Sequence, residues 1–204
     1  MNTRINWNYP QPRSGFSGAI DKFFGPGTTK AEAWIQAVFS VGAGFAMLIY
    51  AFVEGFDWSL IQYILATWMA FDGVGGIITN ATSSAKRWYH REGQGFQEHY
   101  AFIAIHVIYI FLVAWLFRSM DWLYFGVMAI YLLGAALIIL KIPLHLQCPI
   151  AFGALAISWL INCCVFSPTP GLEWFVPFLF FKLLVSHALR EEPYRPLSGG
   201  RIQS

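Results

Sequence analysis

Several apolar runs in this chain are long enough to cross a lipid bilayer as helix, and no other feature limits its fold so strongly. In hydrocarbon every backbone N–H and C=O must be satisfied within the spanning segment, which takes about 17–25 mostly apolar residues as α-helix. Runs of that kind lie near residues 31–53, 58–82, 99–117, 122–142, 149–166 and 172–189. Charged residues make up only 12% of the 204, about half of the ~25% that a water-facing surface normally requires. The expected fold is therefore an all-α integral membrane protein with six transmembrane helices. Residues 1–30 form an N-terminal cytosolic or interfacial segment, 31–189 the membrane domain and 190–204 a cytosolic tail.

The ends of the runs carry local signals. Thr29 and Glu32 have the spacing of a capping box, in which each side chain satisfies the other residue's orphan backbone N–H. Gly25-Pro26-Gly27 stops any helix upstream. Phe16, Ile20, Phe23 and Phe24 set against Asp21 and Lys22 suit a short interfacial helix. Runs two, four and six each open with an acid followed by tryptophan, at Asp57-Trp58, Asp121-Trp122 and Glu173-Trp174. An acid complements the positive end of a helix, and tryptophan favours the headgroup level. This rhythm predicts three helical hairpins with tight outer turns.

Orientation follows from Lys and Arg. Arg4, Arg13, Lys22, Lys30, Lys86, Arg87, Arg91, Lys141, Arg190, Arg195 and Arg201 fall on one side of the predicted topology; Arg118 is on the other and Lys182 within a run. The positive-inside rule assigns the richer side, with both termini, to the cytosol of a plasma or inner membrane. Asn80-Ala81-Thr82 matches a glycosylation sequon but lies at the cytosolic end of run two, so it is expected to be unused.

Composition also excludes classes of function. A net charge of +2 without a basic, aromatic-interleaved patch gives no footing for nucleic acid. Cys148, Cys163 and Cys164 have neither metal-ligand nor disulfide-framework spacing. The histidines His90, His99, His106, His145 and His187 form none of the short zinc patterns. His99 and His106 share a helix face but stand about 10 Å apart along it, which argues against one metal taking both. The sequence identifies no cofactor.

Ionisable groups inside a membrane are costly and usually face a partner or cavity. Asp72, His106 and Lys182 lie on three different runs, roughly 16, 12 and 12 Å from their cytosolic ends. An Asp72–Lys182 ion pair with His106 nearby is thus the expected catalytic group, against the plainer readings of a snorkelling lysine and a packed, neutral histidine. Asp72, Gly76, Thr79 and Asn80 share one helical face, which offers either a polar groove or a small-residue packing seam. The remaining expected binding residues are Thr79, Asn80, Lys86, Arg87, His90, Arg91 and His99. In this scheme the 86–91 loop clamps an anionic headgroup, with ordinary attraction to anionic lipid as its simpler explanation. Pro177, five residues before Lys182, is expected to kink run six.

The chemistry expected of such a site is acid/base catalysis on a lipidic or amphiphilic small molecule reached from the cytosolic leaflet. The alternatives are a small transporter or substrate-binding subunit gated by Asp72 and Lys182, and an accessory subunit of a membrane complex. The bilayer and a small amphiphile or lipid are the expected partners, with a homo-oligomer or a larger complex compatible with the composition.

Overall fold

The structure, a computed structural model, describes residues 3–196. Positions 197–204 of the predicted tail, Arg201 among them, lie outside the described residues. The chain is mostly helical: β1 (Thr3–Ile5), α1 (Gly15–Phe24), α2 (Lys30–Glu54), α3 (Leu60–Ala81), α4 (Ser83–Tyr89), α5 (Phe96–Ile105), α6 (Val107–Leu116), α7 (Trp122–Lys141), α8 (Leu144–Cys164) and α9 (Phe175–Phe180). A π-helical segment, Phe181–His187, continues α9, and β2 (Tyr194–Pro196) ends the described chain.

Five helical stretches are long and apolar enough to cross a membrane: α2, α3, the Phe96–Leu116 run of α5 and α6, α7 and α8. Large apolar side chains such as Trp34, Phe45, Phe52, Leu60, Leu123 and Ile130 point outward from them, as hydrocarbon permits and water does not. The sixth apolar helix, Phe175–His187, is shorter, about 20 Å at the helical rise. It runs through the middle of the bundle. Val176, Leu179, Phe180, Leu183 and Leu184 are buried in the main core, and the helix packs against α3, α7 and α8.

The boundaries have local causes, and some differ from those predicted. Thr29 Oγ1 accepts from Glu32 N at 3.1 Å while Glu32 returns to Thr29 N at 2.8 Å, so α2 starts on the predicted capping box. Of the three acid–tryptophan pairs only Asp121 caps a helix, accepting from Tyr124 N at 2.9 Å. Ser59 replaces Asp57 at the head of α3, with Gln62 returning to Ser59 N at 2.8 Å. Glu173 binds Gly171 N ahead of α9. The segment predicted to open at Pro149 begins five residues earlier, at Leu144, and carries Pro149 within the helix. Pro177 falls in the first turn of α9, where an N–H would have no intrahelical partner anyway, so the ring is tolerated. The irregularity of that helix lies beyond the proline, in the π segment.

Two ties hold the ends of the chain. β1 pairs antiparallel with β2, Arg4 opposite Arg195. Lys86, on α4, buries its ammonium against the end of the last helix, donating to the carbonyls of Ser186 at 2.7 Å and Leu189 at 2.6 Å. Carbonyls at a helix C-terminus lack intrahelical donors and carry partial negative charge, so a lysine suits them. Burial lowers its pKa to about 8, with Glu191 opposing, and the group stays protonated at neutral pH. Lys86→Met removes two charge-assisted bonds, each worth about 1.5–3 kcal/mol, and should lower the melting temperature by about 5 °C or more. Lys22→Met, at an exposed position, should leave it nearly unchanged. Thermal unfolding of both variants in the same detergent checks the contrast.

Candidate functional site

Sequence-distant polar residues converge on one cavity of about 390 Å³ among α1, α2, α3, α5 and the π segment. That volume lies within the ~300–1,000 Å³ range of small-molecule sites. Its polar lining includes Gln36, Asp72, Thr79, Asn80, His106 and Lys182, and its apolar lining includes Phe23, Phe24, Phe71 and Phe102.

Lys182 Nζ stands 2.5 Å from Asp72 Oδ2. The lysine side chain is 3% exposed and the aspartate 23%, so the carboxylate faces the cavity while the ammonium is enclosed. A β-carbon at Gly76 would come within 2.4 Å of Lys182 Cε, and one at Gly75 within 2.4 Å of Ser40 Oγ. Neighbouring glycines thus admit a lysine stem on one side of α3 and α2 on the other. This close approach is how a glycine seam accommodates an ion pair. Tyr109, beside Asp72, accepts from Trp68 Nε1 at 3.1 Å, which leaves its own proton for the carboxylate.

His106 sits where the long helix is interrupted. Its backbone N–H bonds Ile103 O at 3.1 Å, a tightened turn that frees the carbonyl of Phe102 from its usual partner. The imidazole takes up that carbonyl, with Nδ1 2.7 Å from Phe102 O. A carbonyl can only accept, so Nδ1 carries the proton of the neutral ring and Nε2 remains a free acceptor.

A second cluster lies beside the cavity and includes three of the predicted residues. His99 Nδ1 is 3.1 Å from His187 Nε2, and His187 Nδ1 is 3.4 Å from Asn80 Oδ1. With neutral rings and the Asn80 oxygen accepting, His99 donates to His187 and His187 to Asn80. His90 Nε2 donates to His187 O at 3.1 Å, and its ring stacks on His99. Nevertheless, no group of three or more His, Cys, Asp or Glu among the described residues is placed to hold a metal ion.

The predicted headgroup clamp takes a different form. Lys86 caps the last helix, as described above. Arg87 donates to Asn8 O at 2.5 Å and Pro26 O at 3.3 Å, fastening the N-terminal segment. Arg91 lies 3.6 Å over the Trp88 ring and donates to Trp88 O. None of the three lines the cavity. Lys141 stands over Phe96 and Arg190 over Trp7. The basic loop is therefore bound up in the fold: its cations donate to backbone carbonyls or stand over an aromatic ring.

Sequence reasoning missed Gln36. It is 1% exposed, lines the cavity, and neither Nε2 nor Oε1 has a hydrogen-bond partner among the described residues. A polar residue two turns into a spanning helix was the available signal, and its lack of formal charge hid it.

Comparison with family models, with curated proteins and with solved structures returns no match. The functional reading therefore rests on geometry.

Burial, reinforced by nearby His99 and Lys86, holds His90 down to about 3 against an ordinary 6.5. Below pH 6.5 the unfolded chain takes up a proton that the folded chain resists. The stability from this group is therefore complete above 6.5 and lost as pH falls toward 3. Melting temperature should drop between pH 7 and 4, and His90→Gln should make that drop shallower. Parallel curves for the two proteins would contradict the assignment.

Proposed function

We infer that this chain is a multi-pass membrane enzyme whose cavity takes the head of an amphiphilic small molecule and performs acid/base chemistry on it. The observation that carries this reading is the meeting of His106, the Asp72–Lys182 pair and unpartnered Gln36 around one cavity. His106 Nε2 is the base, positioned by the bond from Nδ1 to Phe102 O. Lys182 pairs with Asp72 on the cavity wall, and Tyr109 stands on the other side of Asp72.

The topology proposed is six crossings with both ends in the cytosol. Pairing of β1 with β2 brings the two ends together, which supports an even number of crossings and counting the shorter Phe175–His187 helix as the sixth. The Lys/Arg distribution supports the cytosolic assignment of that side. The cavity then opens toward the cytosolic half, behind Phe23 and Phe24 of α1.

A transport reading has one specific observation in its favour. The helix break at His106 and the π segment holding Lys182 put irregular backbone next to an ion pair, a combination used by carriers with broken helices.

His106→Gln keeps the ring's size and removes its basicity. Small molecules extracted from purified wild type and from this variant, compared by mass spectrometry, should differ, with the variant retaining an unconverted compound. Identical extracts, together with Asp72-dependent uptake in proteoliposomes, would replace catalysis with transport.

A further inference from the structure

Gln36 is the most informative side chain that the acid/base reading leaves unused. A buried primary amide offers two donors and an acceptor, and leaving such a group unsatisfied is unfavourable enough that native structures rarely do so. Here the whole amide is buried and unpartnered among the described residues, and Gln36 lines the cavity. Ser40, its neighbour one turn on, satisfies itself by donating to Gln36 O at 2.6 Å. The Gln36 side chain is the group left to meet a ligand.

A second hollow lies against the cavity. A groove of about 490 Å³ between α2 and α3 is lined by Val41, Gly44, Leu48, Leu60, Ile64 and Phe71 among others, almost wholly apolar. Val41 and Phe71 line both hollows. From Phe71 back to Leu60 the groove follows α3 for about 16 Å, away from Asp72 and toward the other end of the bundle. A polar chamber that shares the walls of Val41 and Phe71 with a long apolar groove matches a molecule with one small head and one apolar chain.

Charge selects the head. Asp72 and Lys182 compensate each other, so neither a cation nor an anion finds an uncompensated counter-charge in the chamber. The basic residues that would grip a phosphate, Lys86, Arg87 and Arg91, are engaged by backbone carbonyls and an aromatic ring. The other polar side chains that line it, Gln36, Thr79, Asn80 and His106 among them, are neutral or uncharged in kind. They call for a head that donates and accepts without net charge.

We propose that the ligand is a single-chain amphiphile with a small uncharged head, an alcohol or amide, whose head bonds Gln36 and whose chain lies in the α2–α3 groove. This identification rests on the acid/base reading for the fate of the head, and on Gln36 and the groove for its recognition. His106 then faces the head's exchangeable proton.

Native mass spectrometry of the purified chain released from detergent tests it with dodecanamide, dodecyl phosphate and dodecyltrimethylammonium as probes. One dodecanamide per chain should bind, and both charged probes at least ten-fold more weakly. Gln36→Leu should weaken dodecanamide at least ten-fold while raising the melting temperature of the ligand-free chain, a combination that misfolding cannot produce. Leu48→Trp, which fills the groove, should weaken dodecanamide but leave the short hexanamide unchanged. Tighter binding of dodecyl phosphate, or dodecanamide binding indifferent to both substitutions, overturns the proposal and leaves the acid/base reading standing. Binding as described, with identical extracts from wild type and His106→Gln, removes the chemistry and leaves the ligand.

Discussion

The cavity of this bundle is built on the contact between Asp72 and Lys182, two charges on different elements that both line it. A lone charge in a low-dielectric interior is so unfavourable that it must find a partner or lose its ionisation. The partner here comes from a different helix, so the contact is also a tether between α3 and the central helix. Gly76 makes it sterically available, because any β-carbon there would occupy the space of the lysine stem. On one side of the pair lies the closed core of Phe180, Leu183 and Leu184; on the other lies the cavity. Moving the ammonium would alter both.

The cations on and after α4 follow a different logic. Lys86, Arg87 and Arg91 look like a phosphate clamp in sequence, yet the fold needs their charge for carbonyls at helix ends and turns. Basic side chains serve as caps wherever buried backbone would otherwise lack donors. Their capture by the scaffold leaves a neutral chamber. That neutrality, more than any single residue, sets the kind of molecule such a chamber accepts.

Much of the scaffold was legible in the sequence because hydropathy and capping act locally. The capping box at Thr29 and Glu32 starts α2 as read, and five of the apolar runs correspond to long helices. The shortness of the Phe175–His187 helix was not legible: run six has the apolar content of a span, but its first residues fold into a turn secured by Glu173 and Gly171. Depth along separate helices was enough to group Asp72, His106 and Lys182 as candidates. It could not reveal the freed Phe102 carbonyl that orients His106, the π segment, or the chain from His99 through His187 to Asn80, because these depend on how neighbouring turns mesh. Gln36 stayed hidden for another reason. A glutamine in a helix is unremarkable until packing removes every partner from it.

The pair itself can be tested without knowledge of any substrate, by a double-mutant cycle on thermal stability. Asp72→Asn should be severely destabilising, by about 3–5 kcal/mol, because it strands the buried ammonium. Lys182→Met should cost less, because Asp72 still faces the cavity. The double variant should recover most of the loss, with a large coupling between the two positions. Losses that simply add, with no coupling between positions 72 and 182, would mean the two charges do not meet, and the account of the cavity built on their contact would fall.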